Sequence, residues 1–254
     1  MLTRRESLLG GLLTLIYGAT GCACGAHADS DLEGGCVVDD EQAEFLFARG
    51  TPAQSVLRGT QKMIKSSGDS DLDYAIGRTL SRLSQTFNVS ASFTYYEGEN
   101  ELNAFATTRK MIQGTDGTVA FGIRYLKSKL KQPEAPDAWV AATLAHEFGH
   151  ILGFKHDLRK QLPNNPTVKR FELHADFMAG FYAGCMKKRN PEFPAAIFAA
   201  SRHASGGFKR ESLKFHGTPE ERANAAIRGF ETAYREGRPL GEAIQIGVRY
   251  AKVL

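Results

Sequence analysis

The pattern of hydrophobic and polar positions places the predicted strands in the first half of the chain and fills the second half with helices. Two early stretches, 53–66 and 72–88, show helical periodicity, with apolar positions at three- and four-residue spacing. Ala91–Tyr96 is β-branched and aromatic, which predicts a strand. Asn103–Thr107 and Thr118–Gly122 are shorter candidate strands around a glycine-containing turn. Together they predict a small sheet with an edge at the Asn103–Thr107 strand.

From Pro136 onward the pattern becomes helical. Asp137 is predicted to cap a helix that runs through the segment WVAATLAHEFGHILG, and residues 160–167, with two prolines and two asparagines, predict a loop. Phe171–Lys187 and Pro219–Arg235 are predicted as further helices. Because the strands precede the helices, the predicted fold is one α+β domain, a small mixed sheet followed by a mainly helical half.

The first 28 residues are predicted to be an export signal. A basic start, an apolar stretch shorter than a membrane span of about 20 residues, and an Ala-His-Ala cleavage site are typical of such signals. Arg4 and Arg5 resemble a twin-arginine signal, although Ser7 and Leu9 stand where that pattern usually has phenylalanine and lysine. The chain is therefore expected to be exported, to a periplasmic or secreted location, with the twin-arginine route as a candidate.

Further predictions concern anchoring, the start of the domain and the cysteines. A loose lipobox ends at Cys22, so a lipid anchor there is an alternative, and the acidic residues 29–52 are predicted to be a flexible lead-in to a domain over 53–254. No later stretch reaches 18 apolar residues, so no integral membrane segment is expected after signal removal. Cys36 and Cys185 are either one disulfide or two unrelated thiols, and their spacing leaves both alternatives open.

Composition and net charge add little by themselves. Hydrophobic residues make up 42% of the chain and charged residues 24%, as in ordinary globular proteins. The net charge of +4, from 32 basic and 28 acidic residues, predicts neither nucleic-acid binding nor membrane-surface binding. The distribution of the histidines is more informative, because four of the seven fall within one stretch of 29 residues: His146, His150, His156 and His174.

The strongest chemical signal is the segment from Ala145 to His150, which reads AHEFGH. On a helix, residues four apart lie about 40° apart on one face, so His146 and His150 can bind one metal ion. Glu147 lies about 100° round from His146, where its carboxylate can reach a metal-bound water. Catalytic zinc takes three protein ligands and keeps one position open, so a third ligand is expected elsewhere.

His156 is one candidate for the third ligand. Gly153 and His156 continue the motif with the spacing of the metzincins, in which the glycine turns the chain and the last histidine completes the site. That pattern also needs a methionine turn downstream. The two later methionines, Met178 and Met186, both fall within a helical pattern.

Glu172 is the other candidate. It lies four residues before Asp176 on the next predicted helix, so the two carboxylates share a face. Glu172 would bind the metal, and Asp176 would accept a hydrogen bond from the far nitrogen of His146 and orient its ring. The alternative for this pair is a capping or salt-bridge role at the surface.

The segments HEFGH and ELHAD together resemble the gluzincin metallopeptidases, which implies a zincin-like fold and favours Glu172 over His156. The sequence NAFA at 103–106 is similar to the edge-strand motif of thermolysin-like enzymes and of CAAX-processing and HtpX-type peptidases. That likeness implies that Asn103 and the backbone of Ala104 bind the substrate peptide as an added strand. The segment FHGTPEER resembles one in HtpX-like and neutral zinc metallopeptidases, which implies that His216 lies near the site and donates to the oxyanion.

The sequence thus predicts a zinc-dependent metallopeptidase with one Zn²⁺ per chain, in which Glu147 is the general base and a zinc-activated water is the nucleophile. A peptide or protein is the expected substrate, and no nucleic-acid partner is expected. The alternative is a periplasmic interaction or chaperone-like protein that binds zinc without cleaving.

Several residues near these motifs are expected to have other roles. His174 is expected to be exposed or to support the site from a distance, and His203 to lie in a loop. Arg222 is expected to cap or pair structurally. The lysines at 127, 129 and 131 are expected to form a solvated face.

Overall fold

The computed structural model describes residues 37–38, 62–97, 103–164 and 166–254. The strands are β1 (Val37–Val38), β2 (Lys62–Ile64), β3 (Ala91–Glu97), β4 (Ala104–Thr107) and β5 (Gly117–Gly122). The helices are α1 (Ser70–Phe87), α2 (Ile123–Lys129), α3 (Pro136–Lys155), α4 (Leu158–Gln161), α5 (Lys169–Arg189), α6 (Ala196–Ala204), α7 (Pro219–Tyr234) and α8 (Leu240–Lys252). The predicted α+β class is confirmed, with the sheet before the main helices.

Most of the predicted amino-terminal features lie outside the described residues. These are the export signal over 1–28, the alternative lipid anchor on Cys22, and all of the lead-in over 29–52 except the two residues of β1. Among the described residues, no helix is long and apolar enough to cross a membrane.

The sheet is mixed, with the strand order β1-β4-β5-β3-β2. The β4–β5 and β2–β3 pairs are antiparallel, whereas β3–β5 and β1–β4 are parallel. The sequence predicts that β4 is an edge strand. This prediction is wrong for the carboxyl end of β4, because Val37 and Val38 pair there with Ala106 and Thr107. A pairing between segments almost 70 residues apart leaves no signal in local periodicity.

The helix predicted over 53–66 is wrong where it can be compared with the structure. Lys62–Ile64 forms β2 and pairs with β3, with Met63 opposite Tyr96, while residues 53–61 lie outside the described part of the chain. Pairing with a neighbouring strand overrides the weak local helical pattern.

Helix α1 has clear local signals at both ends. Asp69 caps its start by accepting hydrogen bonds from two backbone N–H groups of the first turn, and Asn88 ends it in the left-handed conformation. One face buries Ile76, Leu83 and Phe87 in the core.

Asp73 in the first turn of α1 ties the β2–α1 connection to the sheet. Its carboxylate accepts hydrogen bonds from the Ser66 hydroxyl (2.6 Å), the Ser67 backbone N–H (3.0 Å) and the Tyr95 hydroxyl (2.8 Å). Burial acts to raise the pKa of Asp73, but these hydrogen bonds to the ionised form outweigh burial and lower the pKa to about 2.

Replacing Asp73 by Asn is therefore expected to lower the free energy of unfolding at pH 7 by about 1–2 kcal/mol, because an amide accepts these bonds more weakly than a carboxylate. The ionised form contributes its stability above the unfolded pKa of 3.8, and that stability is lost as the pH falls through the folded pKa of about 2. Urea unfolding of both proteins should show a difference that disappears over this range. Asp71→Asn, an exposed change in the same helical turn, is the control; an equal loss there would contradict the assignment to Asp73.

Helix α3 differs from its prediction at both ends. Ala135, with a positive φ of 43°, is the capping position and makes no side-chain cap, so the prediction that Asp137 caps the helix is wrong. Asp137 lies in the first turn, where its charge interacts favourably with the helix dipole. The helix also continues past Gly153 to Lys155, and α4 occupies the start of the predicted loop over 160–167.

Candidate metal centre

The site is built where α3 and α5 cross in close contact. A Cβ atom on Gly149 would lie 2.9 Å from the Cα of Ala175, and a Cβ atom on Gly153 would lie 2.7 Å from the ring of Phe171. Because these positions on α3 carry no side chain, the two helices approach closely enough for Glu172 on α5 to reach α3.

Three metal-ligating side chains converge at this crossing. The Nε2 atoms of His146 and His150 lie 3.2 Å apart, and the Glu172 carboxylate lies 3.3 Å from each, through Oε2 and Oε1 respectively. Tetrahedral zinc with bonds of about 2.0–2.1 Å would place its ligands about 3.3–3.4 Å apart, close to each of these three separations, although the two imidazoles face different oxygens of Glu172. All three side chains are buried, and the group could hold a metal ion.

The far side of His146 is held by a buried carboxylate. Its Nδ1 lies 2.7 Å from Oδ1 of Asp176, which leaves Nε2 directed at the other two ligands. Asp176 is in turn held by Arg222, whose Nε and Nη2 donate at 2.7 and 2.9 Å, while Nη1 donates to the Ser205 carbonyl at 2.9 Å. A second buried arginine, Arg202, lies 3.7 Å from Asp176.

The sequence predicted that Arg222 caps or pairs structurally, but it did not show that Asp176 is the group it pairs with. It gave no prediction for Arg202. One general rule could have suggested the pairing. A buried arginine needs a carboxylate partner, and Asp176 was predicted to lie beside a metal ligand. Close packing of α5 and α7 places Arg222 there. A Cβ atom on Gly229 would lie 1.8 Å from the Phe177 carbonyl oxygen.

These contacts set the charges around the ligands. Burial acts to raise the pKa of Asp176, but the Arg222 guanidinium and His146 hold it well below its usual range. Burial acts to lower the pKa of His146, and the Asp176 carboxylate reverses this, so the net pKa is raised. Burial lowers the pKa of His150 to about 4, so its imidazole is neutral at pH 7, the form that binds metals.

Glu147 is buried next to the ligand group, with a side chain only 1% exposed. Its Oε2 has no hydrogen-bond partner among the described residues. Burial, together with the negative charge of Glu172, raises its pKa to about 8 against an opposing contribution from His146. A carboxyl group whose pKa lies near neutrality can both accept and return a proton at physiological pH.

His216 lies close enough to Glu172 for each to shift the pKa of the other. The ring is half-buried, and its Nε2 is buried without a hydrogen-bond partner in the described part of the chain. Burial lowers its pKa, against an opposing contribution from Glu172. In the chain, His216 is followed by Gly217, at a φ of 112°, and then by the capping box that Thr218 and Glu221 form at the start of α7.

His156 is not part of the ligand group. It is exposed at the carboxyl end of α3 and is not among the three residues whose ligand atoms converge in the described structure. The turn at Gly153 that the metzincin alternative requires does not occur, because this glycine makes room for Phe171 within a helix that continues to Lys155. The chain therefore never brings His156 back to the face that carries His146 and His150.

Other sequence-predicted residues have mixed outcomes. His174 is fully buried against Gly247 of α8, so the exposed alternative for His174 is wrong, while the alternative that it supports the site stays a prediction. His203 lies in α6 and not in the predicted loop. Cys185 is half-buried on α5, while Cys36 lies outside the described residues, so a disulfide and two unrelated thiols both stay open.

Asn103 and Ala104 lie at the amino end of β4. The Asn103 carbonyl accepts hydrogen bonds from the backbone N–H of Gly122 (3.0 Å) and the Tyr96 hydroxyl (2.9 Å), and its side chain is exposed. Ala104 is buried and pairs with Phe121 of β5. These bonds fix the backbone at the point where the sequence predicts an added strand.

Comparisons of this chain with protein-family models, with curated proteins and with solved structures found no match. The gluzincin resemblance therefore stays a prediction, and the candidate metal centre is interpreted from its own geometry and chemistry.

Proposed function

We propose that this protein is an exported zinc-dependent metallopeptidase with a zincin-like fold. The observation that carries the proposal is the buried triangle of His146, His150 and Glu172 with the carboxyl group of Glu147 beside it. A protein that only binds a metal would need these three ligands and no further acidic group. A buried acid with a pKa near neutrality beside the triangle supports a reaction that moves a proton.

The donor set supports zinc as the metal. Two imidazole nitrogens and one carboxylate oxygen are common zinc ligands, and three protein ligands leave a fourth position open. Zinc bound there would lower the pKa of a water molecule to about 7 and polarise a substrate carbonyl. The ligand atoms of these three side chains lie within 3.3 Å of their neighbours, so one cation could contact all three residues.

The protein residues would divide the remaining work. Glu147 accepts the proton of the attacking water and returns it to the leaving amine. Asp176 keeps the Nδ1 proton of His146 in place, so that Nε2 faces the ligand position, and Arg222 keeps Asp176 ionised. His216, neutral at pH 7, donates a hydrogen bond to the oxyanion of the substrate carbonyl.

A peptide or protein substrate would bind along β4. Among the described residues, β1 pairs with β4 only at Ala106 and Thr107, so the Asn103–Ala104 end lies beyond that pairing. An extended peptide added at this end would make main-chain hydrogen bonds, as in other cases of strand addition. Export through the signal at residues 1–28 is part of the same proposal.

The proposal is tested by metal content and peptide cleavage in Glu172→Ala and His156→Ala. We expect the wild-type chain to bind one equivalent of zinc and to cleave a peptide library, and a chelator to stop cleavage until zinc is restored. Glu172→Ala should weaken zinc binding about 100-fold or more, since two ligands remain where catalytic zinc takes three. His156→Ala, a loss of one exposed histidine, should behave as the wild type.

Zinc retained in Glu172→Ala and lost in His156→Ala would overturn the ligand assignment. Zinc binding without cleavage of any library member would instead favour the alternative, an interaction or chaperone-like protein that has kept its metal.

A further inference from the structure

Two loops carry large apolar side chains into solvent. In the β4–β5 loop, residues 108–116, Ile112 is 61% exposed and its neighbour Met111 is 45% exposed. In the loop between α6 and α7, residues 205–218, Phe208 is 77% exposed and Leu213 is 63% exposed. Soluble surfaces expose such residues singly, so two loops with two each mark a surface of interest.

Both loops lie at the carboxyl end of α3. Asp116, at the end of the first loop, forms an ion pair of 3.3 Å with Lys155, the last residue of α3. The carbonyl of Leu213 in the second loop accepts a hydrogen bond of 3.3 Å from the N–H of Val168, just before α5 begins. Since α5 begins beside the end of α3, as the contact between Phe171 and Gly153 shows, the two loops share one end of the molecule.

This end also concentrates positive charge. Segments 108–117, 155–170 and 205–217 contain ten basic and three acidic residues, a surplus of seven. The other described residues, which are far more numerous, contain 18 basic and 15 acidic residues, a surplus of only three. Most of the positive surplus of the described residues therefore lies in these three segments.

We propose that this end, the loop face, binds the surface of a membrane that contains anionic lipids. Ile112, Phe208 and Leu213 would enter the interfacial region, while Lys209 and Arg210, both exposed beside Phe208, would lie next to lipid phosphates. An acidic polypeptide would satisfy the charge, but it gives no reason for apolar side chains to project from two separate loops. An anionic lipid surface would interact favourably with both the basic residues and the exposed apolar side chains.

The loop face is continuous with the candidate metal centre. His216 follows Leu213 by three residues, and Glu172 lies in the first turn of α5, which begins at this end. Membrane binding would thus bring the site close to the lipid surface. The binding itself does not depend on the proposed peptidase activity and is tested separately.

The test is co-sedimentation with vesicles of phosphatidylcholine alone, and of three parts phosphatidylcholine to one part phosphatidylglycerol. The chain is expressed from its full sequence, so that residues 1–28 are processed as in the cell. The double variant Lys209→Gln/Arg210→Gln should bind the anionic vesicles about 30-fold more weakly, at about fivefold for each basic residue near the surface. Phe208→Ser/Leu213→Ser should lower binding about tenfold or more through lost apolar burial.

Two matched controls separate this face from general effects. Lys127→Gln/Lys131→Gln removes the same charge from exposed positions in and just after α2, and Tyr74→Ser removes another exposed aromatic ring, on α1. Both should bind anionic vesicles as the wild type does. An equal loss of vesicle binding in Lys127→Gln/Lys131→Gln would show that binding depends on net charge alone and not on the loop face. Binding to polyglutamate without binding to anionic vesicles, or equal binding to both kinds of vesicle, would also overturn the proposal.

Discussion

Glu147→Gln is expected to lower kcat/KM for peptide cleavage by about 1000-fold or more while the zinc content stays at one per chain. The amide has the shape of the carboxylate but cannot accept the proton of the attacking water, and general-base catalysis typically contributes about 10²–10⁴-fold. Glu147 is not one of the three converging ligands, so the metal should be retained. The measurements are steady-state cleavage of a library-derived peptide and metal content by mass spectrometry.

The stability of the Glu147→Gln variant provides a separate check. Glu147 is buried and has a raised pKa, so removal of its ionisable group should leave the free energy of unfolding unchanged or increased. Glu220→Gln, an exposed change on α7, should cleave normally and serves as the control. Normal cleavage by Glu147→Gln would refute the role of general base, and loss of zinc would refute its place outside the ligand set.

The parts of the site that could be predicted follow from helical geometry. His146 and His150 share a face because they are four residues apart, and the same holds for Glu172 and Asp176. Helices α3 and α5 were both predicted from periodicity, so only their packing was missing. Contacts within one helix depend on a repeat of about 3.6 residues, which the sequence displays directly.

The choice between Glu172 and His156 could not be made from spacing because it depended on Gly153. The same glycine can turn a chain or admit a neighbouring ring, and a sequence does not say which. Here the ring of Phe171 on α5 occupies the space, and the helix continues. The burial of His174 was missed for a similar reason, since it depends on a late helix, α8, packing over its ring.

Long-range pairing was the least predictable feature of the fold. β1 and β2 are short, and each is a strand only because β4 or β3 offers a register for it. The pairing of Arg222 with Asp176 spans 46 residues, and the buried position of both groups follows from the approach of α7 to α5.

Gly229→Ala is expected to destabilise the protein by about 3 kcal/mol or more, although alanine favours helices. The added methyl group would lie 1.8 Å from the Phe177 carbonyl oxygen, far inside contact distance. That oxygen belongs to the backbone of α5 and cannot rotate away, so α7 would have to move outward. Gly77→Ala is the matched control: it lies within α1, where the methyl group meets no atom within 4 Å, and should stabilise by about 0.5–1 kcal/mol.

The same variant should also weaken zinc binding, although Gly229 is not among the residues that surround the metal position. Arg222 lies two turns earlier on α7, so a displaced helix carries its guanidinium away from Asp176 and frees the ring of His146. Loss of partners that orient metal ligands typically lowers metal affinity about 10–100-fold. Urea unfolding and competitive zinc titration would measure the two effects together. If Gly229→Ala unfolds at the wild-type urea concentration, the close contact is wrong; if it is destabilised yet binds zinc normally, Arg222 does not position the ligand through Asp176.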